Sequence, residues 1–111
     1  MKEIDEKIVS FLKVMADTTR LEILNFLKNT EKTASEIQNA IKKSQSTVSQ
    51  QIKILISADL VEYRRDGAKK YYKVRNPKIF DIISVIKSYI SSQNREKIDK
   101  MTSLDILDTL H

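Results

Sequence analysis

Ser44-Gln-Ser-Thr-Val-Ser-Gln-Gln-Ile-Lys-Ile-Leu55, SQSTVSQQIKIL, opens on small polar side chains and closes on an aliphatic ridge. At 100° per residue, Val48, Ile52, Leu55 and Ile56 gather on one side of a helix running over 45–57. Ser46, Gln50, Lys53 and Ser57 lie opposite, with Thr47 on the flank. The aliphatic side predicts an anchor to a core. The other side is uncharged at its start and basic further along, which suits a helix entering a DNA major groove by its N-terminal end. Small side chains let the backbone approach, Gln can form paired hydrogen bonds with adenine, and Ser and Thr can contact several base edges. The unpaired amides and the positive end of the helix dipole also favour a nearby phosphate. A purely structural purpose competes: Ser44, Ser46 and Thr47 can act as caps, with Gln50 merely solvated.

Moving upstream, Thr33-Ala-Ser-Glu36 has the spacing of a capping box and starts a short helix whose apolar positions are Ala34, Ile37, Ala40 and Ile41. Lys42-Lys43-Ser44 closes it, and two short helices joined by so brief a turn make a helix-turn-helix unit. Ahead of them, Ala16-Asp17-Thr18-Thr19 separates two more helices. One spans about 3–16 and carries Ile4, Ile8, Phe11, Leu12 and Met15. The other runs from about Thr19 to Lys28, capped by Asp17 or Thr18, and is expected to bury Leu21, Ile23, Leu24 and Leu27.

Downstream the period shortens to two. Val61 and Tyr63 share one face of a strand and Tyr72 and Val74 one face of a second, with Asp66-Gly67 as the turn signal between them. Pro77 then opens a helix in which Ile79, Ile82, Ile83, Ile86, Tyr89 and Ile90 form a broad stripe to about Gln93. Asn94-Arg95 reads as a break before a helical tail with Ile98, Met101, Leu104, Leu107 and Leu110 every three residues and Ser103 as an internal cap. The predicted organisation is a domain over 1–93 and a C-terminal helical extension over 94–111.

Charge sharpens the picture. The net charge is +5, but residues 34–78 carry ten basic and four acidic side chains, whereas residues 1–33 balance and residues 79–111 are slightly acidic. An excess confined to the middle third points to a polyanion such as nucleic acid. Arg64 and Arg65 on one strand and Lys69 and Lys70 on the other flank the hairpin tip, where phosphates would relieve the repulsion of like charges facing across a ribbon. A solvated ribbon whose charges protect its edges is the plainer alternative.

Four stretches resemble the ArsR family of winged-helix repressors. They are Met15-Ala-Asp-Thr-Thr-Arg-Leu-Glu-Ile-Leu24, Gln45-Ser-Thr-Val-Ser-Gln-Gln-Ile-Lys-Ile-Leu55, Ala58-Asp-Leu-Val61 and Arg65-Asp-Gly-Ala-Lys-Lys-Tyr-Tyr72. They stand in the family's order and spacing over roughly residues 8–90. The resemblance implies a homodimer built on the first and post-wing helices, and a roughly palindromic operator. The chain also departs from the family pattern. Thr18 stands where Pro is usual, Asp59 where Gly is usual, and Gln51 replaces a common His. The third helix lacks the paired cysteines of thiolate metal sensors, and the post-wing helix has Asp81 but no histidine, so neither usual metal site can be assembled.

Composition excludes much else. With 41% apolar and 32% charged residues over 111 positions, the chain reads as one soluble globular domain with a modest core. Cysteine is absent and the single histidine is His111, which leaves no thiolate site, no redox thiol and no metal-ligand cluster. The single glycine sits in the hairpin, so no phosphate loop exists, and no nucleophile-base pair is recognisable; an enzyme is not expected, nor a cofactor. No stretch approaches the ~20 apolar residues that span a bilayer and no signal-peptide pattern opens the chain, so a cytoplasmic protein without a membrane partner is expected.

The reading is therefore a mainly α fold with a two-stranded β wing, in the order α-α-α-α-β-β-α plus a C-terminal helical tail. The expected function is sequence-specific binding of double-stranded DNA by a dimeric transcriptional repressor. Gln45, Ser46, Thr47, Ser49 and Gln50 would read bases, and Lys43, Lys53, Arg64, Arg65, Lys69 and Lys70 would meet phosphates. Ile4, Ile8, Phe11, Ile82, Ile86, Tyr89 and Ile90 would form the dimer interface, because a small monomer cannot readily cover so much apolar face. An architectural DNA binder and a winged-helix protein-protein assembly module are the alternatives. A small-molecule effector is left open.

Overall fold

The computed structural model describes residues 2–110, with side chains described through residue 95. Five helices and one hairpin follow in order: α1 (Lys2–Met15), α2 (Thr18–Phe26), α3 (Ala34–Ile41), α4 (Gln45–Ser57), β1 (Val61–Asp66), β2 (Lys69–Val74) and α5 (Lys78–Leu110). This is the winged helix-turn-helix architecture. The chain divides into two compact units, Met1–Pro77 and Lys78–His111.

Local chemistry sets the helix starts in the first unit. The Asp17 carboxylate accepts from the Arg20 amide at 3.0 Å, so α2 begins at Thr18 with Asp17 as its cap. At α3 the Thr33 hydroxyl accepts from the Glu36 amide at 3.2 Å, and the Thr33 amide donates to Glu36 Oε1 at 3.0 Å, which completes the capping box. Ser44 caps α4 by accepting from the Thr47 amide at 3.2 Å. The turn between α3 and α4 is kept short by Lys42, whose φ of 56° ends α3 in the left-handed region.

The core of this unit is aliphatic. Ile23, Leu24, Leu27, Ile37, Val48, Ile52, Leu55 and Val61 are all buried, and each such side chain contributes roughly 1.5–3 kcal/mol. Val48, Ile52 and Leu55 are the inward face of α4 as the helical period predicts, while Ile56 is half-buried. Leu21 departs from expectation: it is exposed, because Ile23, Leu24 and Leu27 share a face of α2 and Leu21 lies more than a quarter turn from its centre. α2 also stops at Phe26, before Lys28.

The strands pair antiparallel with Val61 opposite Val74 and Tyr63 opposite Tyr72. Asp66 pairs with Lys69, so the two-residue turn is Gly67-Ala68, one position beyond the expected Asp66-Gly67. Gly67 takes the positive φ of 63° that this turn requires. Backbone hydrogen bonds fasten the ribbon at its base. Lys32 and Tyr72 exchange N–H···O bonds of 3.0 and 2.8 Å, and the Arg75 amide donates to the Leu60 carbonyl at 2.9 Å.

In the second unit α5 runs without interruption through Asn94 and Arg95, where the sequence suggests a break. Neither residue disrupts a helical backbone, since no Pro or Gly stands there. Ile98, Met101, Ser103, Leu104, Leu107 and Leu110 lie outside the residues whose side chains are described. Among the described residues no helix is long and apolar enough to cross a membrane.

Candidate nucleic-acid interface

α4 presents its first two turns outward. Gln45, Ser46, Ser49 and Gln50 are exposed, and among the described residues none of their side chains is held by another group. Thr47 differs: it is half-buried, and its hydroxyl oxygen accepts from the Ser44 hydroxyl at 2.9 Å. Thr47 thus belongs in part to the cap, while four unengaged polar side chains form the front. Such a surface carries donors and acceptors with no partner but solvent, which is the state a base-reading face needs before it meets DNA. Lys43, at the start of α4, is exposed beside it.

The strand register sorts the wing's charges into two faces. On one, Glu62 pairs with Lys73 at 3.6 Å, and Arg64 lies opposite Tyr71 with its guanidinium 4.6 Å from the ring centre. Arg64 Nε also donates to Glu31 Oε2 at 2.8 Å, so this expected phosphate contact is already engaged at the ribbon's base. On the other face Tyr63 and Tyr72 stack at 5.9 Å with a tilt of 52°. Burial and the neighbouring Tyr63 push the Tyr72 hydroxyl above the ordinary phenol range.

Beyond the tyrosines on that second face, Arg65 stands directly opposite Lys70, the like-charge pair the sequence foresees. Lys70 rests its ammonium 4.6 Å from the centre of the Tyr63 ring. Arg65 is exposed and has no ion pair among the described residues. Lys69 is opposite Asp66 at the tip. The four basic residues are therefore not equivalent: Arg64 is the most engaged, while Arg65 and Lys69 make no side-chain hydrogen bond or ion pair among the described residues.

One residue that sequence reasoning passed over holds the interface in place. Arg20 is nearly buried, with its side chain 13% exposed. Its Nε donates to the Val14 carbonyl at 2.6 Å and a terminal nitrogen donates to the Lys13 carbonyl at 3.2 Å. The other terminal nitrogen donates to Gln51 Oε1 at 2.8 Å and lies 4.0 Å from Asp17 Oδ2. A single guanidinium thus ties the C-terminal end of α1 and the start of α2 to the middle of α4. A basic residue in the first turn of a helix, where the helix dipole disfavours a cation, was the available signal; its partner 31 positions away was not visible.

Of the expected dimer residues, Ile4, Ile8, Ile82, Ile86, Tyr89 and Ile90 are exposed and Phe11 is half-buried. Val9, Leu12 and Val85 add to the exposed apolar surface of α1 and α5. Among the described residues no three His, Cys, Asp or Glu side chains gather as metal ligands would.

Comparison with known proteins bears on the family and the fold. A family model described as "Bacterial regulatory protein, arsR family" matches residues 17–63, from the cap of α2 into β1. The arsenical resistance operon repressor of Staphylococcus aureus is 32% identical over 90 residues, covering 81% of this chain and 86% of that protein. The probable mercury resistance operon repressor of Streptomyces lividans is 31% identical over 94 residues, covering 85% of this chain and 74% of that protein. Among solved structures, NolR from Sinorhizobium fredii superposes with a TM-score of 0.73 at 31% identity, over 79% of this chain and 88% of that one.

Proposed function

The chain belongs to the arsR family of bacterial regulatory proteins, a family of DNA-binding transcriptional regulators rather than enzymes, and we propose that it works as a homodimeric repressor of a roughly palindromic operator. Gln45, Ser46, Ser49 and Gln50 read base edges in the major groove, with Thr47 contributing from the cap. Arg65, Lys69, Lys70, Lys43 and Lys53 neutralise phosphates, and Arg64 assists where Glu31 releases it. In the dimer two copies of α4 enter successive major grooves about 34–36 Å apart.

The observation that supports this most is the unengaged polar front of α4, together with an exposed Arg65 that has no ion pair among the described residues. Dimerisation rests on the apolar surface left exposed on α1 and α5, which is larger than scattered surface hydrophobics need explain. The repressors to which the chain is similar are named for arsenic and mercury resistance, but soft metals select thiolate ligands and this sequence has no cysteine. Its signal is therefore not one read by thiolates.

The test is selection from a pool of random duplexes by the purified protein. The expected outcome is an enriched inverted repeat with half-sites one helical turn apart. Retention of all sequences alike, with the same salt dependence, would mark an architectural binder, and no retention at low salt would end the DNA reading.

A further inference from the structure

A groove of about 510 Å³ runs between α1 and α4, lined by Lys7, Ser10, Phe11, Val14 and by Lys53, Ile54, Ser57 and Ala58. Its volume falls in the range of small-molecule sites, roughly 300–1,000 Å³. Phe11, Val14, Ile54 and Ala58 make its walls apolar, two serines supply hydroxyls, and among the described residues two ammonium groups are its charged lining. Lys53 has no ion pair among the described residues, and Lys7 has only an exposed contact of 3.7 Å with Glu3, of a kind that contributes little.

The groove shares only Phe11 with the expected dimer surface. On α1 the exposed Ile4, Ile8 and Leu12 face one way, and Lys7, Ser10 and Val14 lie about a third of a turn round the helix, with Phe11 at the shared edge. From Lys7 to Val14 the groove extends roughly 10 Å along α1. That length suits a single small molecule.

The geometry points to a binding site for a small amphipathic organic anion, its carboxylate between Lys7 and Lys53 and its hydrocarbon body against Phe11, Val14, Ile54 and Ala58. This rests on the repressor reading for its consequence. Lys53 projects from the DNA-reading helix, so an anion that takes its charge withdraws it from phosphate. The ligand also wedges between α1 and α4 beside the Arg20 tie, whose partners are Lys13, Val14 and Gln51. Occupancy weakens DNA binding, and DNA weakens ligand binding by the same factor.

Sodium decanoate below its micelle concentration is the probe, measured by calorimetry on the full chain without DNA. Decanoate is expected to bind at least about tenfold more tightly than decanol or decyltrimethylammonium. Lys7→Gln should lower that affinity several-fold, and Ser57→Phe, which fills the groove, should abolish it while circular dichroism stays unchanged. If Ser57→Phe does not fold, Lys7→Gln, on an exposed turn, decides. With a duplex present, saturating decanoate should reduce DNA affinity about tenfold. Equal binding of decanol, no effect of Lys7→Gln, or binding to anionic phosphatidylglycerol vesicles but not to monomeric decanoate would each overturn the site. Duplex binding without the probe reads the repressor function separately, so the two can fail independently.

Discussion

Gln50 stands exposed on the second turn of α4 with no partner among the described residues, and its amide can donate and accept at once. Gln50→Ala is therefore expected to relax preference at one or two operator positions and cost about 1–3 kcal/mol there, with random duplexes unaffected. Paired titrations of operator and scrambled DNA measure this. Arg65 is proposed to meet the phosphate backbone, so Arg65→Ala should weaken binding to every sequence and shrink the slope of log K against log salt by about 1. The same substitution at Arg64 should do less, because Glu31 holds that guanidinium at 2.8 Å. Arg20 contributes to the fold. Arg20→Leu strips partners from the Val14 and Lys13 carbonyls and from Gln51, which should lower the unfolding free energy by about 1–3 kcal/mol in urea titrations.

Elements were legible wherever their determinants are local. The Thr33 and Glu36 capping box, the Ser44 cap and the aliphatic side of α4 depend on residues within two turns of one another, so the sequence shows them directly. The hairpin was legible too, but its turn falls at Gly67-Ala68 because strand pairing continues to Asp66 and Lys69. The contacts of Arg20 with Gln51 and Arg64 with Glu31 join positions 31 and 33 apart, and no period or spacing announces them. The capping box also gives α3 a pH signature. Hydrogen bonds from the Thr33 amide and hydroxyl, with nearby Lys32 and Lys69, hold the Glu36 carboxyl below the ordinary glutamate range. A depressed folded-state value means its stabilisation is complete above the unfolded value and is lost as pH falls through the lowered one. Wild type and Glu36→Gln should therefore differ most in urea stability at neutral pH and converge on acidification.

At the scale of the molecule, one chain is proposed to be half of the functional unit. Ile82, Ile86, Tyr89 and Ile90 leave an apolar stripe exposed along α5, and Ile4, Ile8 and Leu12 another on α1. Ile86→Glu places a charge in that stripe twice in a twofold dimer, which should raise the dimer dissociation constant at least about a hundredfold by sedimentation equilibrium. Operator binding should then depend steeply on protein concentration. The exposed apolar stripes were legible as amphipathic periodicity with no partner in the sequence. The groove between α1 and α4 was not, because it forms only when two helices distant in sequence pack side by side.

Titration of isotope-labelled protein with a short duplex, followed by amide chemical shifts, tests most directly whether α4 and the wing meet DNA. The expected result is that the largest changes cluster at 43–50 and 64–70 and fade with added salt. Changes confined to α1 and α5, with residues 45–50 undisturbed at saturating DNA, would contradict it.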